Sequence, residues 1–298
     1  MKAIECKELS KVYWQRKALN DLSFTIEENT ITGLIGRNGA GKTTLLKIIA
    51  GFLSETAGEI KVFGEEPFNN LTVSANSIFV DDFMSLPTSL NLEETLEAAG
   101  KFYAKWDGEL AKRLFDYFSF DPKQRHEFLS KGMKSTFNMI IGLASRCSLT
   151  IFDEPTTGMD AAVRKDFYRA LLKDYLAHPR TIILSSHHLD EIEDLIEDVL
   201  LLDGGKKRLH LSAADLKEYA IGLTGKASLL EEWTSNKEVL FTKSIGTDSR
   251  YVVMENDWTE ESVQEARQLG IDITPVSASD VCVYVTGNTK GGIDDVFN

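Results

Sequence analysis

One stretch constrains this chain more than any other: Gly36-Arg37-Asn38-Gly39-Ala40-Gly41-Lys42-Thr43-Thr44, which has the pattern G-x-x-x-x-G-K-T. Residues 31–35 before it are apolar and partly β-branched, which is typical of a buried parallel strand. After it, apolar residues recur at helical spacing and stop at Gly51. A strand, this loop and a helix in that order predict a phosphate-binding loop rather than an ordinary glycine turn.

The residue types of this loop suit a nucleotide phosphate. Glycines let the backbone curl so that its N–H groups point at phosphate oxygens, and the N-terminus of the following helix adds partial positive charge. Lys42 can reach the β- and γ-phosphates, and the hydroxyl of Thr43 can ligate Mg²⁺. The predicted phosphate-binding residues are Asn38, Gly39, Ala40, Gly41, Lys42, Thr43 and Thr44.

Bulk composition narrows the class of protein. The 298 residues, 43% of them hydrophobic and 27% charged, predict a globular chain of one large or two ordinary domains. The net charge of −13 argues against broad nucleic-acid binding, which needs positive surface. Cys6, Cys147 and Cys282 are far apart, which favours reduced thiols in a reducing cytosol over a disulfide framework or a zinc site.

Membrane and export signals are missing from the sequence pattern. Residues 1–8 carry charges where a signal peptide needs an apolar core, and no apolar run approaches the length of a membrane span. If the protein works at a membrane, we therefore expect another chain to supply the spanning part.

Strand and helix patterns alternate along residues 1–210. Strand-like runs lie at 22–26, 58–64, 77–80, 148–152, 181–185 and 199–202. A mostly helical insert is predicted at about 83–147, and a further helix at 161–177. This alternation predicts an α/β domain with a largely parallel sheet, whose phosphate chemistry lies at the carboxyl ends of the strands.

The pattern changes from about residue 211. Residues 225–298 contain strand-like runs at 239–241, 250–254 and 281–285, with a helical run at 260–269. We expect a small, β-rich C-terminal α/β domain, acting either as a regulatory sensor or as an appendage that stabilises a dimer.

An acidic pair, Asp153-Glu154, ends the apolar run at 148–152. In a nucleotide hydrolase, a carboxylate at a strand end holds Mg²⁺, and a second carboxylate can polarise the attacking water. Alone, such a pair is usually solvated loop. Because it follows a phosphate loop in the same chain, we predict Asp153 as a metal ligand and Glu154 as the catalytic carboxylate.

Further motifs follow in a fixed order. Leu129-Ser130-Lys131-Gly132-Met133 precedes an amphipathic helix, Glu154-Pro155-Thr156-Thr157-Gly158-Met159-Asp160 follows the acidic pair, and Ser185-Ser186-His187 ends the next strand. Together with the phosphate loop, they resemble the ATP-binding cassette (ABC) family over roughly residues 1–210. The resemblance implies a P-loop NTPase fold of the ABC ATPase type with a helical subdomain.

The resemblance also implies roles for the matching residues. Ser130 and Gly132 would bind the γ-phosphate held by a second subunit, so that a head-to-tail dimer encloses two ATP molecules. Asp160 matches an aspartate that communicates across that dimer, and His187 matches a histidine that contacts the γ-phosphate as part of the catalytic machinery. Tyr13 matches the aromatic residue on which adenine stacks. A lone histidine at a strand end is more often a surface residue, but the order of the motifs and the preceding Ser185-Ser186 favour the catalytic interpretation of His187. For Tyr13, packing as an edge aromatic is the less favoured alternative to stacking.

Two departures from the family pattern stand out. The family usually has glutamine where the strand at 77–80 ends; here Asp81-Asp82 follows, and Asp82 aligns best, as a possible Mg²⁺ ligand that adds negative charge beside the phosphates. The signature has Lys131 and Met133 in place of glycine and glutamine. This Ser-Lys-Gly-Met form is similar to a subfamily of bacterial exporters, and in particular to the Ytr-type (acetoin-utilisation) ATPases.

The resemblance predicts an enzyme that binds and hydrolyses ATP with Mg²⁺ and that powers a separate transmembrane permease. Its expected partners are a second copy or a related ATPase subunit, and the permease, with no nucleic acid. The expected location is the cytoplasm, at the inner face of the cell membrane. Two alternatives stay open: a soluble ABC-type ATPase of translation or DNA maintenance, and a nucleotide-sensing subunit that barely hydrolyses ATP.

Overall fold

The computed structural model describes residues 1–235 and 237–287, apart from the side chain of residue 260. The chain divides into two compact units, Met1–His210 and Leu211–Asn298. Among the described residues, no helix combines the length and the apolar character that a bilayer crossing requires.

The first unit contains two sheets. Its strands are β1 (Lys2–Tyr13), β2 (Arg16–Glu27), β3 (Ile31–Ile35), β4 (Ala57–Val62), β5 (Ser77–Val80), β6 (Leu149–Asp153), β7 (Thr181–Ser186), β8 (Asp198–Asp203) and β9 (Lys206–Ser212). The larger sheet has the order β5-β6-β7-β3-β8-β9, and β5, β6, β7, β3 and β8 run parallel. The smaller sheet, β2-β1-β4, is antiparallel.

The parallel strands bring their carboxyl ends to one edge. Every residue of β3, β6 and β7 is buried, as expected for strands covered on both faces. The phosphate loop follows β3, the residues Asp81-Asp82 follow β5, and β6 ends at Asp153. The pairing of β6 with β7 places Asp153 opposite Ser185. The predicted parallel sheet is therefore present, with the predicted polar residues gathered at one edge of it.

Helices fill the connections of this unit. They are α1 (Lys42–Ile49), α2 (Leu71–Asn76), α3 (Leu92–Phe102), α4 (Gly108–Tyr117), α5 (Lys131–Ser145) and α6 (Ala161–Ala177). Three of them, α3 to α5, lie between β5 and β6, where the sequence predicts a helical insert. Their starts are marked by side-chain caps from Asn91, Asp107 and Ser130, each of which accepts a hydrogen bond from a backbone N–H of the first turn.

The second unit has an antiparallel sheet. Its elements are α7 (Ala213–Glu218), β10 (Ala220–Lys226), α8 (Ala227–Thr234), β11 (Val239–Ile245), β12 (Ser249–Glu255), α9 (Glu260–Gln268), β13 (Asp272–Pro275) and α10 (Ala278–Thr286). The strand order is β11-β12-β10-β13. From β10 to β13 this is the β-α-β-β-α-β arrangement of ferredoxin-like folds. Its apolar core includes Leu223, Leu230 and Val252.

One prediction for this unit is wrong. The alternating valines at 281–285 predict a strand, but the structure has α10 there, with Val281 fully buried. Ser277 begins the helix, because its hydroxyl accepts a hydrogen bond from the N–H of Asp280. Capping and packing thus outweigh the strand preference of three valines. The sheet also begins earlier than residue 225, since β10 starts at Ala220.

Candidate functional site

The phosphate loop has a shape that only glycine permits at two positions. A Cβ at position 36 would lie 2.5 Å from the carbonyl oxygen of Leu202. At position 41 the φ angle is 107°, and a Cβ there would lie 2.7 Å from the carbonyl oxygen of Ala18. Gly205, in the β8–β9 turn, donates its N–H to Ala40 O at 3.0 Å. The loop is therefore pressed between the start of β2 and the end of β8.

A cavity of about 570 Å³ opens beside the loop. The predicted residues Asn38 to Thr44 line it together with Tyr13, Gly204 and Glu154. The ring of Tyr13 is 39% exposed, and Lys11 Nζ lies 5.4 Å from its centroid. An exposed ring at the mouth of this cavity can stack on a nucleotide base.

Sequence reasoning missed three cations of this cavity: Arg16, Lys17 and Arg37. Arg16 Nη2 would be 3.6 Å from a Cβ on Gly39, so its guanidinium lies over the phosphate loop. With Lys42, these residues place four positive charges around the cavity, which suits a triphosphate. Arg16 and Lys17 begin β2, far from the motif in the sequence. The close approach of the loop to the carbonyl of Ala18 brings Arg16 and Lys17 near it, so no local pattern could reveal them.

Glu154 connects two of the other predicted residues. Its Oε1 lies 3.1 Å from Lys42 Nζ, and its Oε2 lies 2.8 Å from His187 Nδ1. Lys42 gives its well-directed hydrogen bond to Gly36 O at 2.5 Å, so Glu154 Oε1 is ion-paired but buried without a hydrogen-bond partner among the described residues. Such an oxygen can accept a proton or a hydrogen bond from a water molecule.

The backbone at the end of β6 aims Glu154. Its φ of 48° lies in the left-handed region, which is uncommon for a residue with a side chain. Ser185, on the neighbouring β7, holds this turn: its Oγ accepts the N–H of Glu154 at 2.9 Å and donates to Asp153 Oδ1 at 2.5 Å. The buried Asp153 carboxylate is thereby fixed at the sheet edge.

Ser130, Gly132 and Asp160 lie in a second group, around the turn that follows Glu154. Ser130 Oγ accepts the N–H of Met133 at 3.3 Å, and Asp160 Oδ1 accepts two N–H groups at the start of α6. A Cβ on Gly132 would lie 2.5 Å from Gly158 O, so the start of α5 touches the 156–160 turn directly. Within one chain, these residues therefore act as helix caps and close contacts.

The two aspartates after β5 face different neighbours. Both follow Val80, the last residue of β5, in a turn in which Asp81 Oδ1 accepts the N–H of Phe83 at 3.0 Å. Asp82 Oδ2 lies 3.0 Å from Lys131 Nζ, and Asp82 Oδ1 accepts from Ser135 Oγ at 3.2 Å. The assignment of Asp82 to Mg²⁺ stays a prediction.

Asp81 is a carboxylate that the sequence interpretation overlooked. Burial raises the pKa of Asp81, while the N–H of Phe83 and the charge of Lys47 oppose that shift. The negative charges of Asp153 and Asp82 add to it. The charge of Asp153 thus acts on Asp81, to which the sequence interpretation assigned no role.

Sequence comparison gives the family. The pattern of the family described as "ABC transporter" matches residues 19–157. The Nod factor export ATP-binding protein I of Rhizobium johnstonii is 33% identical over 211 residues, which are 69% of this chain and 68% of that protein. This chain belongs to the ABC transporter ATP-binding proteins. The ABC transporter ATP-binding protein YtrB of Bacillus subtilis is another relative, 29% identical over 215 residues, or 72% of this cassette chain and 74% of YtrB.

Solved structures agree on the cassette fold. An ATP-binding subunit of an ABC transporter, 26% identical, covers 72% of this chain and 92% of its own with a TM-score of 0.65. A dimeric ATP-binding cassette in a post-hydrolysis state, bound to ADP and Pi, is 18% identical and covers 70% and 98% with a TM-score of 0.63. The present chain is the ATP-binding and ATP-hydrolysing subunit of an ABC transporter, and it carries an extra antiparallel sheet at its C-terminal end.

Proposed function

We propose that two copies of this chain close on two ATP molecules and that Glu154 directs the water that cleaves each γ-phosphate. The observation that carries the proposal is the position of Glu154, between Lys42 and His187 and with one buried oxygen that lacks a hydrogen-bond partner among the described residues. A carboxylate held in this way can orient and polarise a water molecule.

Lys42 and His187 then have distinct tasks. When ATP binds, the ammonium group of Lys42 contacts the terminal phosphates instead of Glu154. Glu154 Oε1 can then accept a hydrogen bond from water. His187 holds the other oxygen of Glu154 and fixes the plane of the carboxylate. Tyr13 stacks on the adenine, and Ser130, Gly132 and Asp160 complete the site of the second copy.

Mg²⁺ fits the oxygen ligands at this edge of the sheet. Thr43 supplies a hydroxyl and Asp153 a carboxylate held by Ser185, and both are hard oxygen ligands of the kind that Mg²⁺ prefers. No group of three or more His, Cys, Asp or Glu side chains gathers for a metal in the described parts of the chain. Such a sparse set suits Mg²⁺ that is bound mainly by phosphates and water, where it neutralises charge on the phosphates.

The substitution Glu154→Gln tests this assignment. It keeps the size of the side chain but removes the carboxylate, so we expect ATP binding to persist and turnover to fall by about 10²–10⁴. The variant should accumulate as an ATP-bound dimer in size-exclusion chromatography. Glu109→Gln, at a side chain that is 89% exposed on α4, is the matched control and should hydrolyse ATP normally. Full turnover of Glu154→Gln would contradict the role of Glu154.

We further propose that the partner is a separate permease and that the chain is a bacterial exporter-type, Ytr-type subunit at the inner face of the cell membrane. The similarity to YtrB and to a Nod factor export protein supports this. The exposed aromatic residues Phe83, which precedes α3, and Phe102, the last residue of α3, offer a docking surface on the helical insert. Purifying the tagged chain from its host with membranes intact should recover a membrane protein; recovery of ribosomes or DNA instead would favour a soluble ATPase.

We also propose that the first unit is the ATPase domain, with its helical subdomain at about 83–147, and that residues 225–298 belong to an accessory domain. The division of the chain after His210 and the separate core around Leu223 support the proposal. Residues 288–298 of that range lie outside the described residues.

A further inference from the structure

We propose that Asp82 and Lys131 form a positioning ion pair that holds the start of α5, and with it Ser130 and Gly132, in the orientation needed to meet the second copy's ATP. The inference rests on the proposed function in so far as Ser130 and Gly132 act across a dimer. The two departures from the family pattern, at positions 82 and 131, are on this view a single feature.

Three contacts tie the end of β5 to α5. Asp82 Oδ2 lies 3.0 Å from Lys131 Nζ, and Ser135 Oγ lies 3.2 Å from Asp82 Oδ1. One step back, Asn138 Nδ2 donates to Asp81 O at 3.2 Å. Lys131, Ser135 and Asn138 are spaced four and three residues apart and so share one face of the helix. The whole first two turns of that face are therefore attached to the same two aspartates.

Electrostatics explains why Lys131 needs a partner. It is the first residue of α5, where the helix carries partial positive charge and favours anions. The first turn of α5 has no acidic residue of its own. Asp82 supplies the missing negative charge from the turn that follows β5. Its side chain is 23% exposed whereas that of Lys131 is 61% exposed, so the pair is partly screened by solvent and has a modest strength.

Packing transmits the position of Lys131 to the turn beyond Glu154. A Cβ on Gly158 would lie 3.2 Å from Lys131 Cγ, so the lysine stem covers that glycine. Gly132 approaches the same residue closely enough that its own Cβ would lie 2.5 Å from Gly158 O. Ser135 Oγ also lies 3.2 Å from Thr157 O. A shift of Lys131 therefore moves Ser130, Gly132 and the 156–160 turn together.

A double-mutant cycle tests the pair in the nucleotide-free chain. The variants are Asp82→Asn, Lys131→Met and the double variant, with Glu109→Gln as a control that also removes one negative charge. Hydrogen exchange is measured at the backbone amides of the first two turns of α5. We expect Asp82→Asn alone to speed exchange about threefold to fivefold, since it leaves an unpaired cation at a helix N-terminus. In the Lys131→Met background, the same substitution should change the exchange rate less than about twofold. In 1 M NaCl the difference should shrink. Equal effects in both backgrounds would overturn the pairing.

The same variants then test positioning, in a Glu154→Gln background where ATP-bound dimers persist. We expect Asp82→Asn to raise the protein concentration needed for ATP-driven dimerisation about threefold to fivefold. In the Lys131→Met background, the same substitution should no longer change that concentration. The ATP affinity of the Lys131→Met monomer should change less than about twofold. An unchanged dimerisation midpoint would refute positioning. If even the parent forms no ATP-driven dimer while the exchange cycle shows coupling, the proposed dimer fails and the ion pair stands.

Discussion

At the scale of single residues, Glu154 is the centre of the site. Its left-handed backbone and its contact with Ser185 point the carboxylate at Lys42 and His187. A residue with φ of 48° stores strain on the order of 1–3 kcal/mol, which the surrounding structure must offset. The hydrogen bonds of Ser185 with Glu154 N–H and Asp153 Oδ1 provide part of that support.

His187 should act through Glu154. We expect His187→Ala to lower kcat about 10- to 100-fold while leaving KM nearly unchanged, because the lost hydrogen bond to Glu154 Oε2 frees the carboxylate to rotate. His188→Ala is the matched control, as the neighbouring ring lies 4.0 Å away but has no bond to Glu154 in the described structure. Steady-state ATPase kinetics separate the two, and equal losses in both variants would contradict the assignment.

Gly41 should be intolerant of a side chain for steric reasons. Gly41→Ala places a methyl group 2.7 Å from Ala18 O at a φ of 107°, whereas Gly64→Ala meets nothing within 4 Å at a φ of 82°. Both variants carry backbone strain, so we expect Gly64→Ala to lower the free energy of unfolding by about 1 kcal/mol and Gly41→Ala to lower it by about 2–3 kcal/mol. Gly41→Ala should also lose nucleotide binding. Thermal unfolding and ATP titration measure both; equal costs would mean that the contact with Ala18 yields easily.

At the scale of elements, the turn after β5 decides which aspartate faces which neighbour. Asp82 lies against α5, where it pairs with Lys131, whereas the charges of Lys47 and Asp153 act on Asp81. The choice of Asp82 rested on alignment with the family pattern, which carries no information on how the chain turns after Val80. The helical insert and the parallel strands could be predicted because their signals are local. The identity of α10 could not, since its three valines pack as a helix only in the context of the folded unit.

Asp81 should make stability fall with rising pH. Burial raises its folded-state pKa, so the folded chain holds this proton more tightly than the unfolded chain, and the associated stability is lost as pH rises through the raised value. Asp81→Asn keeps an acceptor for the N–H of Phe83 but removes the charge. We expect the variant to melt higher than the parent at neutral pH and to lose that advantage in mild acid. A variant that is less stable at pH 7 would contradict this sign.

At the scale of the whole molecule, two cores share one chain. The first packs α1 against strands of both sheets of the first unit, and the second lies in the antiparallel sheet around Leu223 and Val252. A ligand that binds only the folded first unit raises its stability by about 2.7 kcal/mol at 100 times Kd. In calorimetry of the slowly hydrolysing Glu154→Gln chain, we therefore expect MgATP to raise the Tm of one unfolding transition and to leave the Tm of a second unchanged. A single transition that rises as a whole would show that the two units unfold together.

The contacts of the phosphate loop also set a time at which it can form. Its residues, 36–44, are made early, but they take their shape against Ala18, Leu202 and Gly205. A chain still emerging from the ribosome therefore carries the motif long before it carries the site, because the β8–β9 turn has yet to be translated. ATP can stabilise this unit only after that turn has been added, so the nucleotide acts on folding as a late ligand of a nearly complete domain.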